Sequence, residues 1–335
     1  MLSVSILIPT LNSARVLSQC LESIAAQDYP RDRIEIIIAD GGSTDETLTI
    51  ARRYTDKIFP NPLKTGEAGK AVALRHATGE IVAFIDSDNI LPTTDWLTRM
   101  VAPFADKEIV GTEPLEYTYR KQDGYITRYC ALMGMNDPLC LFLGNYDRYN
   151  VLTKRWTGMP VAVEDKGDYL KVKLDVKKLP TIGANGFLVR RSALAGCSVE
   201  DYFFDIDVVF ELAAGGCNTF AKVKTGIVHI FSGTLTTLIR KQQRRIRDFL
   251  FYNTTHQRKY PWGQVNKLRL ARFILYCVTI LPLLAQSVIG LTRKRDRVWL
   301  FHPLACWLTL ATYGSETIRA FFFGMQTQSR AEWKQ

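Results

Sequence analysis

The chain has 335 residues, 47% of them hydrophobic and 23% charged, which excludes a disordered polypeptide and allows one large domain or two modest ones. Its formal net charge of +10 asks for an anionic partner, such as lipid headgroups, nucleotide phosphates or nucleic acid. The cysteine count is odd and no Cys-x-x-Cys pair occurs, so neither a zinc ribbon nor a disulfide scaffold is expected. The thiols read as reduced, in a chain facing the cytosol.

The opening apolar run, residues 4–8, is too short for a signal peptide and has no basic stretch before it. Continuous apolar runs over 4–9, 34–39 and 81–85 predict strands buried on both faces. Helical patterns over 14–27, 44–54 and 69–77 alternate with them. Strand–helix–strand repetition predicts an α/β fold with a mostly parallel central sheet flanked by helices. Polar residues cluster at the strand ends: Thr10 and Asn12 after the first, Asp40 after the second, and Asp86 to Asn89 after another. Open α/β sheets bind ligands outside the carboxyl ends of their strands.

From about residue 236 the composition changes. Residues 240–247 (RKQQRRIR) are strongly basic, 268–290 are almost wholly apolar, and 298–313 form a second apolar run. The first run is long enough to span ~30 Å of hydrocarbon. A two-span hairpin, however, puts Arg293, Lys294, Arg295 and Arg297 on the far side, against the positive-inside tendency, and Pro282 and Pro303 interrupt the segments. Two helices lying in, or dipping into, the cytoplasmic leaflet keep those basic residues at the headgroups. The plainer alternative is a buried helical hairpin of a soluble domain. Disorder is expected only in the last ten or so residues, and no nucleic-acid module is recognisable.

Asp86-Ser87-Asp88 carries the chemistry. Two carboxylates at i and i+2 astride a strand end can share a divalent cation and a bound diphosphate, and oxygen ligands suit magnesium or manganese. A bare Asp-x-Asp is also an ordinary solvated turn, so its place after residues 81–85 matters.

Ser5 to Asn12 (SILIPTLN), Asp40 to Asp45 (DGGSTD), and Gly69-Lys70-Ala71 through Thr78-Gly79-Glu80 into Phe84 to Asp88 keep their order and spacing over the first 100 or so residues. In this the chain resembles the family 2 inverting glycosyltransferases of the GT-A fold. The resemblance implies a metal-dependent hexosyltransferase that uses a nucleoside-diphosphate sugar and Mn2+ or Mg2+. It implies that Pro9, Thr10 and Asn12 shape the nucleotide pocket, that Asp40 accepts from the base, usually uracil or guanine, and that Lys70 and Ser87 lie near the donor. Asp86 would sit near ribose and metal, and Asp88 would be the direct metal ligand. Asp40 also reads as a cap for the following helix, and Lys70 as a solvated lysine.

Residues 203–207 (FFDID) resemble the family's acceptor-side acidic motif, whose carboxylate is the general base. Asp205 matches it by position. The family often has Glu just before that place, where this chain has Phe204, so Asp205 and Asp207 both stay candidates; acids at a helix N-terminus are also ordinary. His229 ends a short apolar strand over 226–230, where relatives often complete the metal site. Asn185 and Gly186, within TIGANG, resemble the acceptor wall. Gln242, Arg244 and Arg245 loosely match a Gln-x-x-Arg-Trp element, with Ile246 in place of Trp, and would bind the leaving diphosphate or an acceptor phosphate. A basic membrane-surface face is the alternative there.

The expected organisation is a catalytic GT-A domain over 1–235, divided at 110 into nucleotide-sugar and acceptor halves. A basic amphipathic connector follows over 236–265, then a membrane-associated hydrophobic helical hairpin over 266–325 and a tail over 326–335. The expected partners are a UDP- or GDP-linked sugar donor, a lipid-linked or other glycan acceptor, and an anionic membrane surface at the cytoplasmic face. Nucleic acid is not expected, and an oligomer is compatible with the sequence. Two rivals stay open. One is a soluble or peripheral transferase with a non-lipid acceptor, though the Gly-rich loop of nucleotidyltransferases is absent after the first strand. The other is a non-catalytic membrane-bound sugar- or nucleotide-binding protein.

Overall fold

The computed structural model describes residues 1–231, 233–255, 258–260 and 266–324. The expected tail, 326–335, and part of the expected connector lie outside them. In chain order the strands are β1 (Val4–Thr10), β2 (Ile34–Asp40), β3 (Ile58–Pro60), β4 (Ile81–Phe84), β5 (Asn89–Ile90), β6 (Gly111–Tyr117), β7 (Ala162–Asp165), β8 (Tyr169–Lys173), β9 (Phe187–Arg190) and β10 (Thr219–His229). The helices are α1 (Ala14–Ala25), α2 (Thr47–Ala51), α3 (Gly66–Arg75), α4 (Trp96–Val101), α5 (Tyr125–Met133), α6 (Leu139–Leu143), α7 (Asp205–Ala214), α8 (Leu235–Thr255), α9 (Lys267–Thr279), α10 (Leu281–Arg293) and α11 (His302–Phe323).

The chain forms two compact units. Among the described residues, 1–118 and 161–229 make the first, and 119–160 with those from 230 to 324 make the second. The boundaries differ from those read in the sequence, where 119–160 ran on as part of the acceptor half.

The first unit holds one sheet, in the order β3-β2-β1-β4-β9-β6-β10-β8-β7, with β5 paired to β10. β3, β2, β1 and β4 are parallel. Every residue of β1 is buried, Ser5 and Thr10 included, as a mainly apolar central strand requires. Beyond β4 the sheet is mixed: β9 runs antiparallel to β4 and β6, and β6 and β10 are parallel. α1, α2 and α3 are the crossovers between the parallel strands. They bring the ends of β1, β2 and β4 to one edge, where the polar residues gather.

The second unit packs Ile126, Tyr129 and Met133 of α5 against Trp299, Phe301 and Ala305. Phe142, Phe273, Cys277, Leu283 and Cys306 form a neighbouring cluster. The expected hairpin takes a different form. Its first apolar run breaks at Ile280 (φ 59°), one residue before the Leu281-Pro282 start of α10. α9 and α10 are 13 residues each and bend by 90° at that break. Among the described residues no single helix is long and apolar enough to cross a membrane; α9 and α10 pass that test together, by length and composition.

Candidate active site

The loops after β1 and β2 are sewn together. Thr10 and Asp40 are partners in strand register, and Thr10 Oγ1 donates to Asp40 Oδ1 at 2.9 Å. Ser43 Oγ donates to the same oxygen at 2.6 Å, while the Gly42 and Ser43 amides donate to Oδ2 at 2.8 and 2.7 Å. The Asp40 carboxylate thus organises its own turn; it does not cap the following helix as the sequence suggested, since α2 starts after Glu46 without a side-chain cap. Asn12, at φ 48°, accepts from the Thr44 amide at 2.9 Å, and Ser43 Oγ accepts from its amide at 2.8 Å. Pro9 lies under α3. A Cβ at Gly69 would come within 2.7 Å of Pro9 Cβ, so glycine there lets the helix settle onto β1 and sets the height of Lys70.

Lys70 is buried, not solvated. Its Nζ donates to both oxygens of Asp205, at 2.9 and 3.0 Å, and lies 3.4 Å from Asp86 Oδ1. Burial on its own would lower the ammonium, but the Asp205 and Asp86 carboxylates override it and hold Lys70 above the usual lysine value. Burial raises the Asp205 carboxyl to about 6; Lys70 pulls it down and Asp86 pushes it up. A carboxylate poised near neutrality and within reach of solvent suits a general base. Asp207 lies two residues on in α7, on a different side of the helix from Asp205, and is buried. Between the two candidates, the structure brings Asp205 to the cluster.

The Asp86–Asp88 turn is held by a residue the sequence reading did not single out. Asn89 Oδ1 accepts from the Asp86 amide at 3.0 Å, and its Nδ2 lies 3.4 Å from Asp88 Oδ1 and 3.0 Å from Asn185 Oδ1. Asn185 Nδ2 in turn donates to Tyr117 Oη at 3.2 Å. The available signal was an amide directly after the acidic pair at a strand end. Asn185, expected at an acceptor wall, is committed to this interior network. Gly186 is buried and donates its amide to Phe84 O at 2.9 Å. Ser87 Oγ bonds to Ser13 Oγ at 3.1 Å.

β5 pairs with the end of β10 in the register His229↔Asn89, which brings His229 to the acidic turn. His229 Nε2 lies 3.5 Å from Asp88 Oδ2. Among the described residues no group of three or more His, Cys, Asp and Glu side chains is gathered to hold a metal. The expected trio is therefore divided: Asp88 faces His229 and Asp86 faces Lys70. One carboxylate and one imidazole side by side still fit a hard divalent cation that takes its remaining ligands from substrate phosphates and water.

Gln242 and Arg245 belong to the second unit and are taken up inside it. Gln242 is buried on α8, with Nε2 donating to Thr309 Oγ1 at 3.3 Å and Oε1 accepting from Tyr313 Oη at 3.2 Å and from Arg245. Arg245 lies 3.7 Å from Asp137, which also accepts from Tyr313 Oη at 2.6 Å. This network packs α8 against α11. Arg244 is exposed on α8.

Residues 5–194 match the model of glycosyl transferase family 2, more than half of the chain. The chain belongs to that family. It is 37% identical over 97 residues to the poly(ribitol-phosphate) beta-N-acetylglucosaminyltransferase TarS of Staphylococcus aureus, covering 27% of this chain and 17% of that protein. It is 29% identical over 140 residues to the glycosyltransferase AglE of Haloferax volcanii, covering 39% of this chain and 45% of that one. The chain therefore spans less than half the length of these relatives. A solved mannosyltransferase from Pyrobaculum calidifontis, in complex with GDP-Man and Mn2+, aligns over 96% of this chain and 88% of its own at 19% identity and a TM-score of 0.53. That likeness bears on the fold, which is of the GT-A type.

Proposed function

We propose that the chain transfers a sugar from a UDP- or GDP-linked donor to an acceptor hydroxyl in a single inverting displacement, with Asp205 as general base. The observation that carries this reading is the junction at Lys70, where one ammonium joins Asp86 of the acidic turn to Asp205 on α7. In the displacement the bond from the anomeric carbon to the diphosphate oxygen breaks. A bond to the acceptor oxygen forms, and the acceptor's proton passes to Asp205. Lys70 is the cation beside the donor, and Pro9, Thr10, Asn12 and Asp40 form the floor for the nucleotide. A divalent cation, Mn2+ or Mg2+, would be held by Asp88 and His229 with Asp86 alongside, and would supply charge neutralisation for the departing diphosphate. Family membership and the names of the relatives support the reaction class.

The acceptor we infer is lipid-linked, and the site of action is the cytoplasmic face of a membrane. The support is the surface of the second unit. On α9 the exposed positions Leu268, Leu275 and Val278 make an apolar stripe opposite buried Phe273 and Cys277. α10 repeats the pattern, with Leu281, Leu284 and Val288 exposed opposite Leu283, Ser287 and Gly290. Exposure reaches 83% at Leu268 and 74% at Leu281. Helices apolar on their outer face as well as their inner one belong against a second apolar phase. Exposed Lys267 and Arg272 on α9 and Arg293, Lys294, Arg295 and Arg297 at and after the end of α10 supply charge for anionic headgroups. Each helix of 13 residues measures roughly 20 Å, so an in-plane seat fits better than a span.

A thermal-shift panel of nucleoside diphosphates with and without Mn2+ tests the donor reading, because a ligand specific to the folded state raises the melting temperature. The reading expects a metal-dependent shift with UDP or GDP. No shift with any nucleotide would count against the donor reading.

A further inference from the structure

Glu113 on β6 and Lys222 on β10 are partners in the parallel register of those strands. Both are enclosed, at 2% and 0% exposure, and Lys222 Nζ lies 2.5 Å from Glu113 Oε2. Removing two charges from water is costly, and apolar residues of similar size fill such positions at least as well for stability. The pair therefore calls for a role beyond holding the sheet together.

The second oxygen of Glu113 points to that role. Glu113 Oε1 accepts a hydrogen bond from the Gly183 amide at 2.9 Å. Gly183 has φ +129°, and a Cβ there would lie 2.6 Å from Asp205 O and 2.8 Å from Asp205 C. The loop and the first residue of α7 thus touch backbone to backbone, without room for a methyl group. A continuous path runs from Lys222 through Glu113 and the Gly183 amide to the main chain of Asp205, whose carboxylate Lys70 grips from the other side.

We propose that the buried Glu113–Lys222 pair and Gly183 are positioning residues for Asp205: the pair fixes the Gly183 amide, and Gly183 fixes where α7 starts. This rests on the reading of Asp205 as the general base. None of the three touches substrate. Their effect is to hold one carboxylate in register with the acceptor oxygen, where a displacement of about 1 Å costs on the order of 10²-fold in rate.

The test is a set of variants of the full chain. UDP-glucose, UDP-N-acetylglucosamine and GDP-mannose serve as donor probes, nucleoside diphosphate release as the rate, and UDP or GDP binding by calorimetry as the control. Gly183→Ala is expected to lower kcat on the order of 10²-fold while nucleotide affinity stays within about twofold. The double variant E113M/K222M removes both charges and the acceptor, and is expected to lower kcat in the same way. E113Q/K222M removes the charges but keeps an oxygen for the Gly183 amide, and is expected to recover most of the rate at a melting temperature equal to that of E113M/K222M. Folded Gly183→Ala and E113M/K222M proteins with wild-type kcat, alongside an inactive Asp205→Asn, would overturn the positioning role and leave the base in place. An active Asp205→Asn would instead remove the reading on which it rests. If E113M/K222M does not fold, Gly183→Ala decides.

Discussion

Lys70 Nζ stands 2.9 Å from Asp205 Oδ1, 135 residues away in sequence, and 3.4 Å from Asp86 Oδ1, so one buried ammonium joins the end of β4 to the start of α7. Neither carboxylate is near the other in the chain. The sheet order, with β9 between β4 and β6, brings the segment after residue 181 back beside the acidic turn.

That junction sets a pH dependence. Asp205 must be deprotonated to act as base, and its carboxyl is raised to about 6, so kcat/KM is expected to fall as pH drops through about 6. In Lys70→Met the pull downward is lost while burial and Asp86 still push upward. The acid limb then moves to higher pH. Rate profiles between about pH 5 and 9 check this; a limb that stays in place would separate Lys70 from Asp205.

Asn89 is expected to matter to the metal as much as to the fold. Asn89→Ala frees the Asp86 amide and the Asp88 carboxylate from their common anchor. Residues that orient ligands typically change metal affinity by about 10–100-fold. Calorimetry of Mn2+ with UDP or GDP should show a loss of that size in the folded variant.

Arg245 separates a structural role from a phosphate-binding one. Its neighbours Gln242, Asp137 and Tyr313 lie within the second unit. Arg245→Ala is expected to lower stability by roughly 1–3 kcal/mol in denaturant titration, with donor KM unchanged. A raised donor KM at unaltered stability would restore the diphosphate contact.

Glu35 gives a stability prediction away from the site. Burial opposes its charge, but hydrogen bonds from Lys57, Ser5 and Thr78 outweigh this and hold the carboxyl at about 2. A carboxyl lowered on folding stabilises above its unfolded pKa, and that contribution is lost as pH falls towards the folded value. Glu35→Gln is expected to destabilise at neutral pH, with the gap to wild type closing between about pH 4.5 and 2 in thermal melts.

The apolar stripes predict vesicle binding. Cosedimentation with anionic vesicles is expected for the wild type and should weaken with added salt. L275D/V278D should abolish it with little change in melting temperature, since both side chains are exposed. Binding that survives the double variant would move the membrane contact elsewhere.

What could be read from the sequence followed local physics. The apolar runs at 4–9, 34–39 and 81–85 correspond to β1, β2 and β4 within a residue, because a strand buried on both faces leaves no other pattern. The α/β class was legible for that reason, and its GT-A type through the resemblance carried by residues 5–12, 40–45 and 69–88. The hairpin of β7 and β8 was not, since all of β7 is exposed and its residues do not alternate. The burial of Lys70 and the internal commitments of Asn185 and Gln242 depend on partners far along the chain. The break at Ile280 was foreshadowed by Pro282, but the size of the bend depends on how α9 and α10 pack against α11 and the Arg297–Phe301 turn.

The central claim is tested most directly by nucleoside diphosphate release from UDP- and GDP-sugars, with Mn2+ and a membrane extract as acceptor source, for wild type, Asp88→Ala and Asp205→Asn. The account predicts turnover by the wild type and a loss of about 10²–10⁴-fold in Asp205→Asn, with a comparable loss in Asp88→Ala and folding intact in both. Wild-type release by both folded variants would contradict it.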